Sequence, residues 1–290
     1  MDILLALGGG GSKGNAHIGV LRVLEREGFR IRAVAGTSAG GMAAAAFAAG
    51  HSADVLEEYM AKVDQRSLFG IHLGNEPAIL GISGVAKAMQ DLLGDRNFND
   101  LDIPCALTAV DLNSGQEMIL NQGRVLDAVL ATVAIPGIFP PKKWEQHSLV
   151  DGGVLDPVPV AVVREIAPDK TLPVVAVSLT SSPGQRGFLP ALGSKSAQTI
   201  LTHITRLKVA QAFEIFLHSI EIGMSTITEL RLQLDKPDVV IQPAVEHIGY
   251  LDQVYVPDVV KLGEEAAESA LPDLHKAVSW RGRFSRWVKR

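Results

Sequence analysis

One serine of the sequence stands in a setting typical of a catalytic nucleophile. Ser38 lies in Gly36-Thr37-Ser38-Ala39-Gly40, between an apolar run that predicts a buried strand and an Ala-rich run at 43–49 that predicts a helix. This G-x-S-x-G spacing fits a strand–turn–helix elbow, in which Gly36 and Gly40 leave room for a strained serine backbone. Free N–H groups at the helix N-terminus would favour the anion of a tetrahedral acyl intermediate. The alternative is that Ser38 only caps the helix.

A glycine-rich turn precedes this serine in the chain. An apolar run at residues 3–7 predicts a strand, and Gly8-Gly9-Gly10-Gly11-Ser12-Lys13-Gly14 separates it from a helical pattern. Consecutive glycines expose backbone N–H groups, as an oxyanion hole requires. The same residues match a dinucleotide-binding fingerprint, but the second strand does not end in the acidic residue that would hold a ribose. Since both turns lie at the carboxyl edge of one sheet, we expect the loop to bind an anion beside Ser38. A flexible turn without chemistry is the alternative.

A single aspartate is a candidate base for this serine. Asp151 ends a short predicted strand and is followed by two glycines. An ordinary Asp has a pKa near 3.9 and is a poor base at neutral pH, but partial burial would raise that pKa. Two alternatives stay open: Asp151 only forms a turn, or Asp111, which also ends a predicted strand, is the partner of Ser38.

Lys13 follows the glycines and allows two interpretations. It is placed in the first turn of a predicted helix, where a cation opposes the helix dipole. Either its side chain faces solvent, or it stiffens the glycine loop and attracts an anionic substrate.

The pattern of the whole chain alternates predicted strands with predicted helices, as in α/β proteins. Besides the helices after the two glycine turns, helices are predicted at 52–63 and 83–94, with Ser52 and Ser83 as their caps. Further helices are predicted at 125–133, 159–166, 197–223, from there to about 234, and 259–270. Predicted strands lie at 31–36, 104–110, 116–120, 148–151, 174–179 and 239–242, the third being the hairpin partner of the second. Irregular segments at 68–81 and 181–196 are candidates to overhang the site.

Composition excludes several classes of function. The 290 residues are 47% hydrophobic with a mean hydropathy of +0.20, but the longest apolar run is far shorter than the roughly 20 residues of a membrane-spanning helix. A net charge of −5 argues against general nucleic-acid binding. The apolar N-terminus lacks a basic region and predicts a strand rather than a signal peptide. Cys105 is the single cysteine, and its apolar surroundings in the sequence predict that it is buried. A single cysteine cannot form an internal disulfide, which favours a reducing, cytoplasmic location.

The last residues, 280–290, differ from the rest in composition. They include five basic residues and no acidic one. Trp280, Phe284 and Trp287 would share one face of a helix. A basic, aromatic helix of this kind suits an anionic membrane surface, while docking on the protein's own surface and disorder are the alternatives.

Taken in order, these motifs resemble the patatin-like phospholipase family. The resemblance rests on Gly9 to Gly14, Gly36 to Gly40 and Asp151-Gly152-Gly153, supported by Ala16 to Leu21 and Ile135 to Pro141. It covers about residues 3–160 and is weaker near 237–243. It implies a three-layer α/β/α fold with a mostly parallel central sheet. The sequence departs from the family at Lys13, where Arg is commoner, and at Asp156, where Asn often stands.

The resemblance also implies roles for individual residues. Ser38 would be the nucleophile and Asp151 the base of a Ser–Asp dyad. The oxyanion hole would be formed by Gly9, Gly10 and Gly11, with Lys13, Gly14, Gly36, Gly40 and Gly152 in support. No cofactor and no metal are expected.

The sequence therefore predicts a serine lipid acyl hydrolase that cleaves (lyso)phospholipids or related lipids through an acyl-enzyme. Its partners would be the lipid substrate and, through residues 280–290, an anionic membrane. The predicted domain covers 1–272, with a motif-bearing core at 3–160, a helical lid region at about 181–235 and a tail at 273–290. One alternative is a Ser-His-Asp esterase, whose base would be a late histidine: His203, His218, His247 or His275. The other is a catalytically silent regulator that binds lipid or nucleotide. The sequence makes no prediction of oligomeric state.

Overall fold

The computed structural model describes residues 1–68, 70–71, 80–180 and 202–279, with side chains throughout except at 70–71, 202–214 and 216–218. The helices are α1 (Ala16–Arg26), α2 (Ala39–Ala48), α3 (Ala53–Lys62), α4 (Gln65–Leu68), α5 (Ser83–Leu93), α6 (Val125–Thr132), α7 (Val160–Ile166), α8 (Thr202–Asp235), α9 (Val256–Ser269) and α10 (Leu271–Val278). Short 3-10 helices cover Gly11–Asn15, Phe98–Asp100 and Gly152–Val154. The strands are β1 (Asp2–Leu7), β2 (Arg30–Gly36), β3 (Gly70–Ile71), β4 (Leu80–Gly81), β5 (Cys105–Asp111), β6 (Gln116–Leu120), β7 (Lys142–Trp144), β8 (His147–Asp151), β9 (Val174–Val177) and β10 (Val239–Ile241).

A mixed, mostly parallel sheet forms the centre of the fold, as predicted. Its strand order is β10-β9-β1-β2-β5-β8-β7. β6 lies outside this order and pairs with residues 107–111 of β5. The strands from β10 to β5 are parallel, whereas β6, β8 and β7 join in antiparallel pairs. Buried parallel strands need apolar side chains on both faces, which explains the uninterrupted apolar runs of β1 and β9.

Helices cover both faces of this sheet. Along β1 the side chains alternate, because successive residues of a strand point to opposite faces. Leu5 and its odd-numbered neighbours join a large core that includes residues of α1, α2, α5, α6 and α9. Leu4 and Ala6 join a second core with residues of α7. The fold is therefore the predicted three-layer α/β/α arrangement.

The sheet register brings the predicted nucleophile and base to one level. At the end of β2, Gly36 pairs with Leu107 of β5 in parallel. Two residues further along β5, Ala109 pairs with Asp151 of the antiparallel β8. Since Ser38 follows Gly36 by two residues, Ser38 and Asp151 both lie opposite the level of Ala109. The antiparallel addition of β8 thus delivers a carboxylate to the carboxyl end of β2.

Several element predictions need correction. Residues 202–235 form one helix, α8, rather than two helices that meet near Gly223, because a single glycine costs a helix only about 1 kcal/mol. Ser83 is the first residue of α5 and not its cap. α10 was not predicted, and the predicted domain boundary at 272 falls inside it, just before the fully buried Leu274. Within the described part of the chain, no helix is long and apolar enough to cross a membrane.

Candidate active site

Ser38 lies in a strained turn between β2 and α2. Its φ of 54° is in the left-handed region, which is unfavourable for a residue with a side chain. The turn is tight: a Cβ on Gly36 would lie 2.3 Å from the carbonyl oxygen of Gly40, and one on Gly40 would lie 2.2 Å from that of Leu7. The Ser38 N–H donates to Thr132 Oγ1 at 2.9 Å, while its side chain makes no capping hydrogen bond to α2. Ser38 is therefore held as in a nucleophile elbow and does not cap the helix.

The partner of the Ser38 hydroxyl is the Asp151 carboxylate. Asp151 is 3% exposed and accepts hydrogen bonds from the Ser38 hydroxyl and, at 2.8 Å, from the Gly153 N–H. Burial raises the pKa of Asp151 to about 6, against the effect of these two hydrogen bonds, which lower it. A carboxylate with this pKa is largely ionised at neutral pH and is a better proton acceptor than an ordinary Asp.

Asp111, the other carboxylate that the sequence left open, has a structural role. It accepts hydrogen bonds from His147 Nδ1 at 3.0 Å, from Ser114 Oγ at 2.9 Å and from the Ser148 N–H at 3.1 Å. The hydrogen bond with His147 is the largest of the effects that hold the pKa of Asp111 well below its usual range. Asp111 thus fixes the end of β5 against β8 and is not the partner of Ser38.

The glycine loop offers two backbone donors next to Ser38. Among the described residues, no backbone carbonyl accepts the N–H of Gly10 or Gly11. The inclusion of Gly9 among the donors was wrong, because its N–H already donates to the carbonyl of Pro157 at 3.0 Å. Gly9 instead allows close approach: a Cβ there would lie 3.2 Å from Ser38 Cβ. The arrangement can stabilise an oxyanion with two N–H groups.

Lys13 is buried, which corrects the interpretation that it faces solvent. It is 1% exposed, and its Nζ lies 3.1 Å from Glu221 Oε1 of α8 and 5.1 Å from the centre of the Tyr250 ring. A buried ammonium requires a partner of this kind. The ion pair connects the glycine loop to a helix that is more than 200 residues away in the chain.

The remaining predicted support residues act through close contact. A Cβ on Gly14 would lie 2.6 Å from Ala39 Cβ, and one on Gly152 would lie 2.1 Å from Thr108 Oγ1. Glycine at these positions lets the loop pack on α2 and lets the turn after Asp151 pack on β5.

Four contributors to the site were missed by sequence reasoning. Thr132 orients Ser38, and the Tyr250 carbonyl accepts both the N–H and the hydroxyl of Ser12, at 2.9 and 3.2 Å. Glu221 pairs with Lys13, and a Cβ on Gly153 would lie 2.6 Å from Met224 Cε. None of these four residues stands in a sequence motif, so only the three-dimensional structure identifies them as part of the site.

The histidines with described side chains have other roles. His17 Nε2 lies 2.7 Å from the Gly8 carbonyl oxygen, and burial lowers the pKa of this imidazole to about 4, so it is neutral. His247 is exposed and His275 packs on Phe29. The side chains of His203 and His218, also considered as bases, lie outside the described residues. Ser38 and Asp151 contact each other directly, without an intervening histidine.

A cavity extends from Ser38 between the helices of one face of the sheet. The empty space between its lining residues, open solvent at the mouth included, is about 1120 Å³. Most of its lining is apolar, including Met42, Ala46, Leu56, Met89 and Leu92. Among the described residues, no group of three or more His, Cys, Asp or Glu side chains is placed to hold a metal ion. The site combines a hydrogen-bonded Ser–Asp pair, two N–H donors that no described backbone carbonyl accepts, and an apolar cavity.

Comparison with known proteins gives the site a family context. The model of the patatin-like phospholipase family matches residues 5–164. An uncharacterized NTE family protein of Mycobacterium tuberculosis is 30% identical in an alignment 286 residues long, which covers 93% of this chain and 47% of that protein. Patatin-like phospholipase domain-containing protein 6 of Mus musculus is 29% identical over 57% of this chain and 13% of its own length.

A solved structure, VipD from Legionella pneumophila, superposes with a TM-score of 0.48 at 14% identity, over 93% of this chain and 66% of that one. The chain spans about half the length of the mycobacterial relative. The family match itself covers more than half of the chain and includes the glycine loop, Ser38 and Asp151. The chain belongs to the patatin-like phospholipase family.

Proposed function

We propose that the protein is a serine lipid acyl hydrolase that cleaves carboxylic esters of (lyso)phospholipids or related lipids. The observation that carries the proposal is the hydrogen bond from Ser38 to a buried carboxylate at the mouth of an apolar cavity. The Ser–Asp pair supplies a nucleophile with its base, and the cavity suits the alkyl part of a lipid.

In the first half-reaction, Ser38 Oγ attacks the ester carbonyl carbon while Asp151 accepts the hydroxyl proton. The Gly10 and Gly11 N–H groups stabilise the oxyanion of the tetrahedral intermediate. Collapse of this intermediate breaks the ester C–O bond, and the proton on Asp151 passes to the leaving alcohol. The products of this step are the free alcohol and a Ser38 acyl ester.

In the second half-reaction, water replaces the alcohol. Asp151 takes a proton from the water as it attacks the acyl-enzyme, and the same N–H groups stabilise the second oxyanion. Ser38 Oγ leaves and recovers the proton from Asp151. A fatty acid is released, and the enzyme returns to its starting state.

The proposal is tested by the intact mass of the protein after treatment with an alkyl fluorophosphonate. We expect one adduct on the wild type and on Ser269→Ala, an exposed control, but none on Ser38→Ala. Release of fatty acid from lysophosphatidylcholine and diacylphosphatidylcholine should be lost in Ser38→Ala and Asp151→Asn. A wild type that forms no adduct and hydrolyses no ester would contradict the proposal and favour a silent lipid-binding protein.

We also propose that residues 280–290, which lie outside the described residues, bind anionic membranes peripherally from the cytoplasmic side. Their five basic side chains would each add about 1 kcal/mol of attraction to an anionic surface. Co-sedimentation with phosphatidylserine vesicles should fall when the chain ends at residue 279, while the fluorophosphonate adduct on Ser38 should remain. Equal sedimentation of the two chains would contradict this proposal.

A further inference from the structure

We propose that the cavity beside Ser38 holds one unbranched acyl chain, whose length is limited by Ala46 of α2 and by the side chains that face it. This inference rests on the proposed function, because the carbonyl of the bound chain must lie at Ser38. It goes beyond it by assigning chain-length selection to named residues.

Helix α2 forms one wall of the cavity and starts at the nucleophile. Its lining residues, Ala39, Met42, Ala43 and Ala46, are spaced i, i+3, i+4 and i+7, so they form one stripe along the helix. Met42 and Ala43 are only half-buried, although the alanines that follow them are fully buried. The alanines of the stripe have short side chains and leave open space beside the helix.

Helices α3 and α5 contribute to the lining beyond α2, and the floor combines residues of all three helices. The floor is formed by residues that solvent does not reach: Ala46 is 2% exposed, Leu56 3% and Met89 2%. Ser38 lies at the other end of the α2 stripe from Ala46, and Gln253, which also lines the cavity, is exposed. A chain that enters with its carbonyl at Ser38 therefore ends against Ala46, Leu56 and Met89.

Two polar side chains of the lining are engaged with the backbone. Gln65 donates through Nε2 to the Val254 carbonyl at 2.7 Å and accepts the Val254 N–H at 2.9 Å. Asp252 accepts the Gly249 N–H at 2.7 Å. Most of the lining that faces a ligand is aliphatic or aromatic, and Ala46, Leu56 and Met89 carry no charge, which suits an alkyl chain rather than a charged headgroup at that end of the cavity.

The length of the wall gives the length of the chain. From Ala39 to Ala46 the helix rises about 10 Å, and an extended alkyl chain advances roughly 1.3 Å per carbon because its bonds of about 1.5 Å zigzag. The cavity therefore holds about eight carbons beyond the carbonyl before the floor stops the chain.

The test is the chain-length profile of kcat/KM for p-nitrophenyl esters from acetate to palmitate. In Ala46→Leu the larger side chain fills the floor, and we expect the decanoate to lose about tenfold or more, since overpacking costs about 1–3 kcal/mol. The butyrate should stay within about threefold of the wild type, since it ends short of the floor. Met89→Ala, which deepens the floor, should shift the optimum towards longer esters.

The control is Ala61→Leu, the same change on the exposed face of α3, which should leave the profile unchanged. Profiles of folded Ala46→Leu and Met89→Ala that coincide with the wild type would overturn the inference, as would an equal loss for all esters. Failure of the proposed function is a separate outcome, since wild type would then hydrolyse no ester or Ser38→Ala would retain the activity.

Discussion

At the scale of single residues, the pKa of Asp151 links activity to pH. Burial raises this pKa to about 6, and the carboxylate must be ionised to accept the Ser38 proton. We therefore expect kcat/KM for a short ester to be level between pH 7 and 8 and to fall below pH 6, about tenfold per pH unit. Stopped assays between pH 4.5 and 8 check this, with unfolding monitored at each pH. A level profile down to pH 4.5 would show that another group accepts the proton.

The same raised pKa makes Asp151 costly for stability. The folded state binds this proton more tightly than the unfolded state, so the contribution of Asp151 is present below about pH 4 and is lost as pH rises through about 6. Asp151→Asn should abolish turnover yet raise the free energy of unfolding at pH 7 by roughly 3 kcal/mol, with little difference near pH 4. Urea unfolding at both pH values measures the change.

Asp111→Asn is the matched control, because its carboxylate has a pKa below the usual range. Stability from such a group is present above its unfolded pKa and is lost as pH falls. This variant should therefore be less stable than the wild type at pH 7. If both variants changed stability in the same direction, burial would not explain the pKa of Asp151.

At the scale of elements, α8 connects the helical part of the chain to the glycine loop. Glu221 pairs with the buried Lys13, and Met224 packs beside Gly153. In Glu221→Gln the ammonium of Lys13 loses its ion-pair partner, and we expect the loop that carries Gly10 and Gly11 to lose its position. The kcat for a butyrate ester should fall about tenfold, with KM nearly unchanged, as for an interaction used mainly in the transition state.

Glu229→Gln, an exposed change on the same helix, should leave kcat unchanged. A double-mutant cycle with Lys13→Met separates the ion pair from other effects, since Glu221→Gln should cost little once Lys13 is absent. Additive losses would mean that Glu221 acts on the site by another route.

The elements also show what the sequence was able to predict. Ser38 and Asp151 could be predicted from the sequence, because each stands beside glycines that a tight turn requires. The partner of Lys13 was not, because an ion pair between residues 13 and 221 leaves no local pattern. Gly9 shows the same limit. The Gly9 N–H donates to the Pro157 carbonyl, and a hydrogen bond between residues so far apart in the chain leaves no local pattern in the sequence.

At the scale of the whole molecule, the family match ends at residue 164, yet later elements complete the fold around the site. Helices α1 and α9 pack backbone against backbone: a Cβ on Gly19 would lie 1.9 Å from the Val260 carbonyl oxygen, and one on Gly263 would lie 1.9 Å from that of Ala16. This contact holds the segment of Tyr250, just before α9, against Ser12 of the glycine loop. The motif-bearing half thus depends on the C-terminal third for its geometry.

A buried group of carboxyls joins α8 to the other face of the sheet. Asp156 is 1% exposed, and no N–H or O–H among the described residues donates to its carboxyl oxygens. Its charged neighbours are Glu117 of β6 and Arg231 and Asp235 of α8. Arg231 lies 3.5 Å from Glu117 and donates to the Leu155 carbonyl at 3.0 Å. Glu117 and Asp235 both repel an ionised Asp156, and a proton shared between Asp156 and Glu117 relieves this repulsion.

This group should make the stability of the protein fall at alkaline pH. Burial, with Glu117 next in effect, raises the pKa of Asp156 to about 8, so its contribution to stability is complete below about pH 4 and is lost as pH rises through about 8. In Asp156→Asn the side-chain amide can still donate a hydrogen bond to Glu117, but it does not ionise as the pH rises. We expect it to be more stable than the wild type at pH 9 and much closer to it at pH 5.

Urea unfolding at pH 5 and 9 measures the difference, and Asp273→Asn, an exposed change on α10, is the control whose effect should not depend on pH. Because the Asp156 carbonyl accepts the Thr37 hydroxyl at 2.8 Å, one residue before Ser38, the proton also affects the nucleophile turn. The wild type should therefore lose kcat above pH 8 before it unfolds, and Asp156→Asn should keep it. Equal loss of kcat in both proteins would separate the carboxyl group from the active site and leave it a role in stability alone.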